Sequence, residues 1–167
     1  MKKLNKKGFT LIELLAVIVI MGILMMVAVP AAQRYIVNSK KDTMVSQMKE
    51  YVEAVRKAYV ADEFNCGDNI NTEDGTYYFF LYQINTKMEN IPKSPFDKKT
   101  YNDGVVRIIA NDGQINSINV SVRDNAGNGI KNTSYTNLSR SSVSDDVTYA
   151  QARGAMSGTW CSRGFTN

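Results

Sequence analysis

KKGFTLIELLAVIVI, residues 6–20, sets two lysines against an apolar run and places one carboxylate, Glu13, near the start of that run. From Leu14 to Ala32 there are 19 residues without a charge. As a helix they cover about 28 Å, close to the thickness of a bilayer's hydrocarbon core. The stretch reads as a membrane span, and Lys2, Lys3, Lys6 and Lys7 place its N-terminal side in the cytoplasm, so that everything after it faces outward. A secretory signal cut near Val29-Pro30-Ala31 fits less well, because the core is long for a signal and an acid sits at the charged-to-apolar boundary. A carboxylate at that depth is unfavourable unless something pairs with it. Glu13 therefore asks for a partner that a plain anchor has no reason to supply.

Composition narrows the rest. The chain has 167 residues and carries a net charge of +4, enough length for one ordinary domain plus an appendage. The four lysines ahead of Gly8 account for that whole excess, so the basicity belongs to the head of the apolar segment and not to a patch that could neutralise phosphates. No nucleic-acid binding is expected. There is no histidine, which removes the side chain most used for proton transfer near neutral pH and the commonest metal ligand. No Ser, Cys or Lys sits in a nucleophile motif, so no catalytic residue is assigned and no enzyme, cofactor or metal is expected. The two cysteines, Cys66 and Cys161, have neither zinc-knuckle nor CxxC spacing. With the domain outside the cytoplasm, one disulfide joining them is the natural inference, two free buried thiols being the alternative.

The first 30 residues carry a resemblance. A short basic leader ends in Gly8; Phe9 and Thr10 follow, then apolar positions interrupted by Glu13, then the apolar run. This resembles the N-terminus of type IV prepilins, the family of pilins and secretion-system pseudopilins. The resemblance implies cleavage by a membrane prepilin peptidase between Gly8 and Phe9, N-methylation of Phe9, and a role in assembly for Glu13. When subunits stack with an axial offset, the new Phe9 amine of one copy can sit against Glu13 of a neighbour, so that two uncomfortable charges become one contact in low dielectric. Pairing of Phe9 with Glu13 within one chain is the local alternative. Gly22 and Pro30 punctuate the span; ordinary packing or kinking accounts for them as well as the loosening that the resemblance suggests on entry into a filament.

Beyond Pro30, Met44, Met48, Tyr51, Val55 and Tyr59 keep three-and-four spacing, while Lys49, Glu50, Glu53, Arg56 and Lys57 occupy the other faces. The expected helix runs from about Thr10 to Asp62, roughly 80 Å, its second half packed on the protein's own sheet in preference to a coiled coil. Glu53 is spaced to pair with Lys49 and Lys57.

After Phe64 the chain turns rich in Asn, Gly, Asp, Ser and Thr, the composition of strands joined by loops. VVRIIA, the turn at 111–113 and QINSINVSVRD form a hairpin signal in which Ile118, Val120 and Val122 alternate with Asn119, Ser121 and Arg123. A third short strand is expected near Ile130, and residues 76–84 fit either strand or buried helix. Segment 91–101, IPKSPFDKKTY, is faintly similar to a loop of major pseudopilins but departs from it at Ser94, Phe96 and Asp97. Asn119, Asn132 and Asn137 open glycosylation triplets that chance explains in so Asn-rich a region, and Asp103, Asp112 and Asp124 read as turn chemistry before calcium ligands. A bond from Cys66 to Cys161 would close nearly the whole head, worth about 4–5 kcal/mol in the loop-entropy picture; in the resembling family a disulfide often fastens that part.

The expectation is thus α+β: a cleaved leader 1–8, a hydrophobic helix 9–32, an amphipathic continuation 33–64, and an antiparallel head 65–167 packed on it. The function expected is a subunit of a type IV pilus-like filament, polymerising with copies of itself, served by prepilin peptidase and an assembly machinery, and held in the cytoplasmic membrane before assembly. A pseudopilin of a secretion or DNA-uptake system and a membrane-tethered binding protein are the rivals.

Overall fold

The computed structural model describes residues 9–61, 74–154 and 159–161. Helix α1 covers Leu11–Val60 and is unbroken through Gly22 and Pro30, starting and ending within two residues of the expected bounds. The chain divides into two compact units, Met1–Ser39 and Lys40–Asn167. In the first, every described residue from 9 to 37 is exposed, among them Leu11, Leu14, Ile18, Ile23 and Val27. The helix is long and apolar enough here to cross a membrane.

In the second unit the amphipathic stripe finds its cover inside the chain. Met44, Met48, Tyr51, Val55 and Tyr59 are all buried, joined by Val45, Val52 and Ala58. They form one cluster with a sheet built from β1 (Gly75–Phe80), β2 (Asp103–Asn111), β3 (Gln114–Arg123), β4 (Gly129–Ser134), β5 (Val143–Ser144) and β6 (Thr159–Trp160). The order is β5-β4-β3-β2-β1-β6. All neighbours are antiparallel except β1 and β6, which run parallel. The expected antiparallel sheet is present, with a parallel two-residue edge that no local pattern announces.

Period-two alternation explains the hairpin. Ile118, Val120 and Val122 point into the cluster, and Asn111 pairs with Gln114 across a two-residue turn. Asp112 and Gly113 occupy that turn at φ 51° and 70°, the left-handed pair that matches the twist of the strands. The third strand expected near Ile130 is β4. Residues 76–84 are strand and then helix: β1 ends at Phe80 and α2 occupies Leu81–Asn85. Leu81 and Ile84 are both buried. Glu53 does not take the expected lysine partners; it pairs with Arg56 at 3.5 Å and accepts a hydrogen bond from Tyr135 Oη at 3.0 Å.

A polar network ties α1 to the loops. Tyr51 Oη donates to Asn85 Oδ1 at 2.5 Å, Asn85 Nδ2 to the Tyr101 carbonyl at 3.1 Å, and Tyr101 Oη to Gln47 Oε1 at 2.7 Å. The rings of Tyr51 and Tyr101 meet edge to face with centroids 6.2 Å apart. Each of these polar side-chain atoms thus has a partner, which spares the network the penalty of desolvated, unpaired groups. A short helix, α3 (Tyr149–Arg153), capped by Thr148, packs across β2, β3 and β4. It was not foreseen: five residues hold too little periodicity to read.

Candidate assembly site

Phe9 is 84% exposed at the start of the first unit. The next residue, Thr10, directly precedes α1. Thr10 N donates to Glu13 Oε2 at 2.8 Å, Thr10 Oγ1 donates to the same oxygen at 2.8 Å, and Glu13 N returns a bond to Thr10 Oγ1 at 3.3 Å. The Thr10 carbonyl takes Glu13 N at 3.1 Å and Leu14 N at 3.3 Å. This reciprocal closure is a capping box, in which a threonine and a glutamate three residues on satisfy amide groups that a helix start leaves unpaired. An acid in the first turn also suits the positive end of the helix dipole.

Glu13 thus has a local role that the sequence reading missed, although the Thr-x-x-Glu signature lies in the quoted stretch. Within the chain Glu13 meets Thr10, not Phe9, whose nitrogen in the uncleaved protein is a peptide amide. Both described bonds fall on Oε2; Oε1 accepts no hydrogen bond among the described residues. A carboxylate has about four acceptor positions, so Oε1 leaves room for a further donor. Gly8, the residue expected before the cut, lies outside the described residues.

Gly22 and Pro30 both sit inside α1. A Cβ at Gly22 would meet nothing within 4 Å, so no packing in this chain requires glycine there. In the head, Cys161 is buried, and its amide donates to the Tyr78 carbonyl at 3.2 Å, holding it beside β1. Cys66 lies outside the described residues.

The remaining candidates serve the fold. Ser94, fully buried, donates to Asp124 Oδ2 at 2.8 Å and accepts from Phe96 N at 3.1 Å. Asp124 Oδ1 takes Asn128 N at 2.8 Å, and Asp97 takes Lys99 N and Asn125 N. These carboxylates close turns, as expected of Asp124, and Ser94 joins them. Asp103 lies 3.7 Å from Arg153. No group of three or more potential metal ligands gathers among the described residues.

An exposed, spanning-length apolar helix continuing into a stripe packed on a small, mainly antiparallel sheet defines a pilin-like α+β protein. Its N-terminus, residues 3–29, matches the family model of the prokaryotic N-terminal methylation motif. Two relatives, both fimbrial proteins of Pseudomonas aeruginosa, are 29% identical over 109 residues, which is 65% of this chain and 70% of theirs. No solved structure matches.

Proposed function

We propose that the chain is the structural subunit of a type IV pilus-like filament, made as a membrane-anchored precursor. A prepilin peptidase cuts between Gly8 and Phe9, and Phe9 becomes the methylated terminus. Before assembly the helix spans the membrane with its N-terminal side cytoplasmic and the head outside; afterwards the fibre stands at the cell surface.

The observation that carries this reading is the contrast between a fully exposed apolar helix half and a carboxylate at its start with one oxygen spoken for and the other open. Burial of the apolar side chains against other copies would supply the adhesion of a fibre core, since apolar area removed from water or repacked from lipid is what such a helix has to offer. Glu13 keeps its Thr10 cap and presents Oε1 to the Phe9 ammonium of a neighbour. Neither charge is comfortable alone in a medium of low dielectric, and losing one partner of such a pair costs about 3–5 kcal/mol, so the pair sets register as well as adhesion. Gly22 and Pro30 give the helix its weakest backbone, the place for it to loosen on leaving the bilayer. Cys66 and Cys161 form the disulfide that closes the head; buried Cys161 and the lack of a free cysteine among the described residues support it.

The work is mechanical and needs no catalytic residue. Similarity to fimbrial proteins over 65% of the chain favours a pilin. A pseudopilin shares the helix and differs in how far the fibre grows. Intact mass of protein purified from native membranes is expected to show loss of residues 1–8 and one added methyl group. A retained N-terminus would mean a simple tether. Electron microscopy of sheared surface material then separates long fibres from the short or absent ones of a pseudopilin.

A further inference from the structure

Side chains alternate along β2: Val106, Ile108 and Ala110 join the core cluster, so Arg107 stands on the opposite face of the sheet. That face is not open. With α3 packed across it, Ala152 is fully buried, and Tyr78, Val105 and Ser121 are each only 3% exposed. Between them lies a cavity of about 90 Å³, walled chiefly by Tyr78, Arg107, Ser121, Asn132, Arg153 and Gly154.

The lining is unbalanced toward donors. Arg107 Nε is buried without a hydrogen-bond partner, and no carboxylate among the described residues pairs with its guanidinium. Arg153 adds a second cation. The pairing of β3 with β4 passes from Val120–Thr133 to Val122–Ile130, so Lys131 and Asn132 together oppose Ser121. Asn132 sits at φ 33° in this bulge, a conformation that is uncommon for a residue with a side chain and concentrates where a site is being shaped. Its N–H donates to Ser121 Oγ at 3.0 Å, which leaves the Ser121 hydroxyl proton to give. Its Oδ1 accepts from Asn119 at 3.3 Å, which leaves the Asn132 amide hydrogens to give as well. Arg153 is mostly exposed and lies 3.7 Å from Asp103, so the charge left without a counterpart is that of Arg107, which water would fit beside but would not neutralise.

We propose that this cavity binds a small tetrahedral oxyanion, phosphate or sulfate, either free or as the terminal group of a longer molecule. Arg107 provides the inner donor and charge, Arg153 the outer one, and Ser121 and Asn132 complete the shell; guanidinium is the side chain best matched to such oxygens. The site lies on the sheet face opposite the one that the stripe from Met44 to Tyr59 covers.

The test is nuclear magnetic resonance of the arginine Nε–H groups in the full chain, held in a zwitterionic detergent. Inorganic phosphate, sulfate and glycerol 1-phosphate are titrated in turn, with sodium chloride matching ionic strength. The Arg107 signal is expected to shift saturably with phosphate and sulfate, and Arg153→Gln, a change at an exposed position, to weaken that binding about tenfold while leaving the rest of the spectrum in place. Saturation by glycerol 1-phosphate assigns the site to end groups of longer molecules; saturation by the inorganic ions alone assigns it to the free anion. A shift that is linear and reproduced by chloride, or saturation unaltered in both Arg153→Gln and Arg107→Lys, overturns the proposal.

Discussion

The two halves of α1 are built from similar side chains and meet opposite fates. Leu14, Ile18, Ile23 and Val27 are exposed, whereas Met44, Met48, Tyr51 and Val55 are fully buried. The difference lies in what the sequence places around the stripe. In the second half charged residues flank a single apolar face, which one sheet covers. In the first half the helix is apolar on all sides, a pattern that only lipid or other helices can satisfy. One half is stabilised by its own chain, the other by what surrounds the protein.

The largest effect that separates them is a truncation in each. Tyr51→Ala is expected to destabilise the head by about 3–5 kcal/mol, since it removes a fully buried ring and the hydroxyl that Asn85 accepts from. Ile18→Ala is expected to leave head unfolding unchanged and to lower fibre yield. Denaturant unfolding of the full chain in detergent measures the first, and recovery of sheared fibres the second. A large loss of head stability in Ile18→Ala would erase the contrast.

Glycine substitutions sharpen it further. A Cβ at Gly129 would run into the Val122 carbonyl oxygen of the neighbouring strand, so Gly129→Ala is expected to cost about 1–3 kcal/mol or more as backbone shifts. Gly22 has open space around it, and Gly22→Ala is expected to strengthen its half of the helix by about 0.5–1 kcal/mol. Thermal unfolding followed by circular dichroism reads both. If the proposed loosening matters, the stiffer helix also assembles less readily.

The smallest effect concerns alkaline pH and belongs to the head alone. Burial pushes the phenols of Tyr51 and Tyr101 well above the ordinary tyrosine range, because the charged form loses its water. The folded state thus holds protons that the unfolded state gives up. The contribution is present in full below the unfolded pKa of about 10 and is lost as pH rises past it toward the folded values. Absorbance titration is expected to find these two tyrosines ionising only as the head unfolds. Ionisation of all nine tyrosines in a single step near the ordinary value would contradict their burial.

Much of this architecture is legible along the chain because it rests on local periodicity. The charge-free run, the stripe at Met44 to Tyr59 and the alternation through Ile118 to Val122 each announce an element and its buried face. What is not legible depends on contacts distant in sequence. The parallel pairing of Tyr78 with Trp160 joins segments about 80 residues apart. The burial of Ser121 on the second face of the sheet needs α3, and the Arg107 cavity needs both α3 and a bulge at Asn132. The Thr10–Glu13 cap was the reverse case, a plain local signature overshadowed by the question of what neutralises Glu13 between subunits.

That question gives the most direct test of the filament account. Electron cryomicroscopy of purified fibres, at a resolution that shows side chains, locates the Phe9 nitrogen relative to Glu13. The account predicts the amine of one subunit within charge-assisted hydrogen-bond distance, about 2.7–2.9 Å, of Oε1 on an adjacent copy, with Thr10 still on Oε2. Fibres in which the amine lies far from every Glu13, and that oxygen faces solvent or another cation, would contradict it.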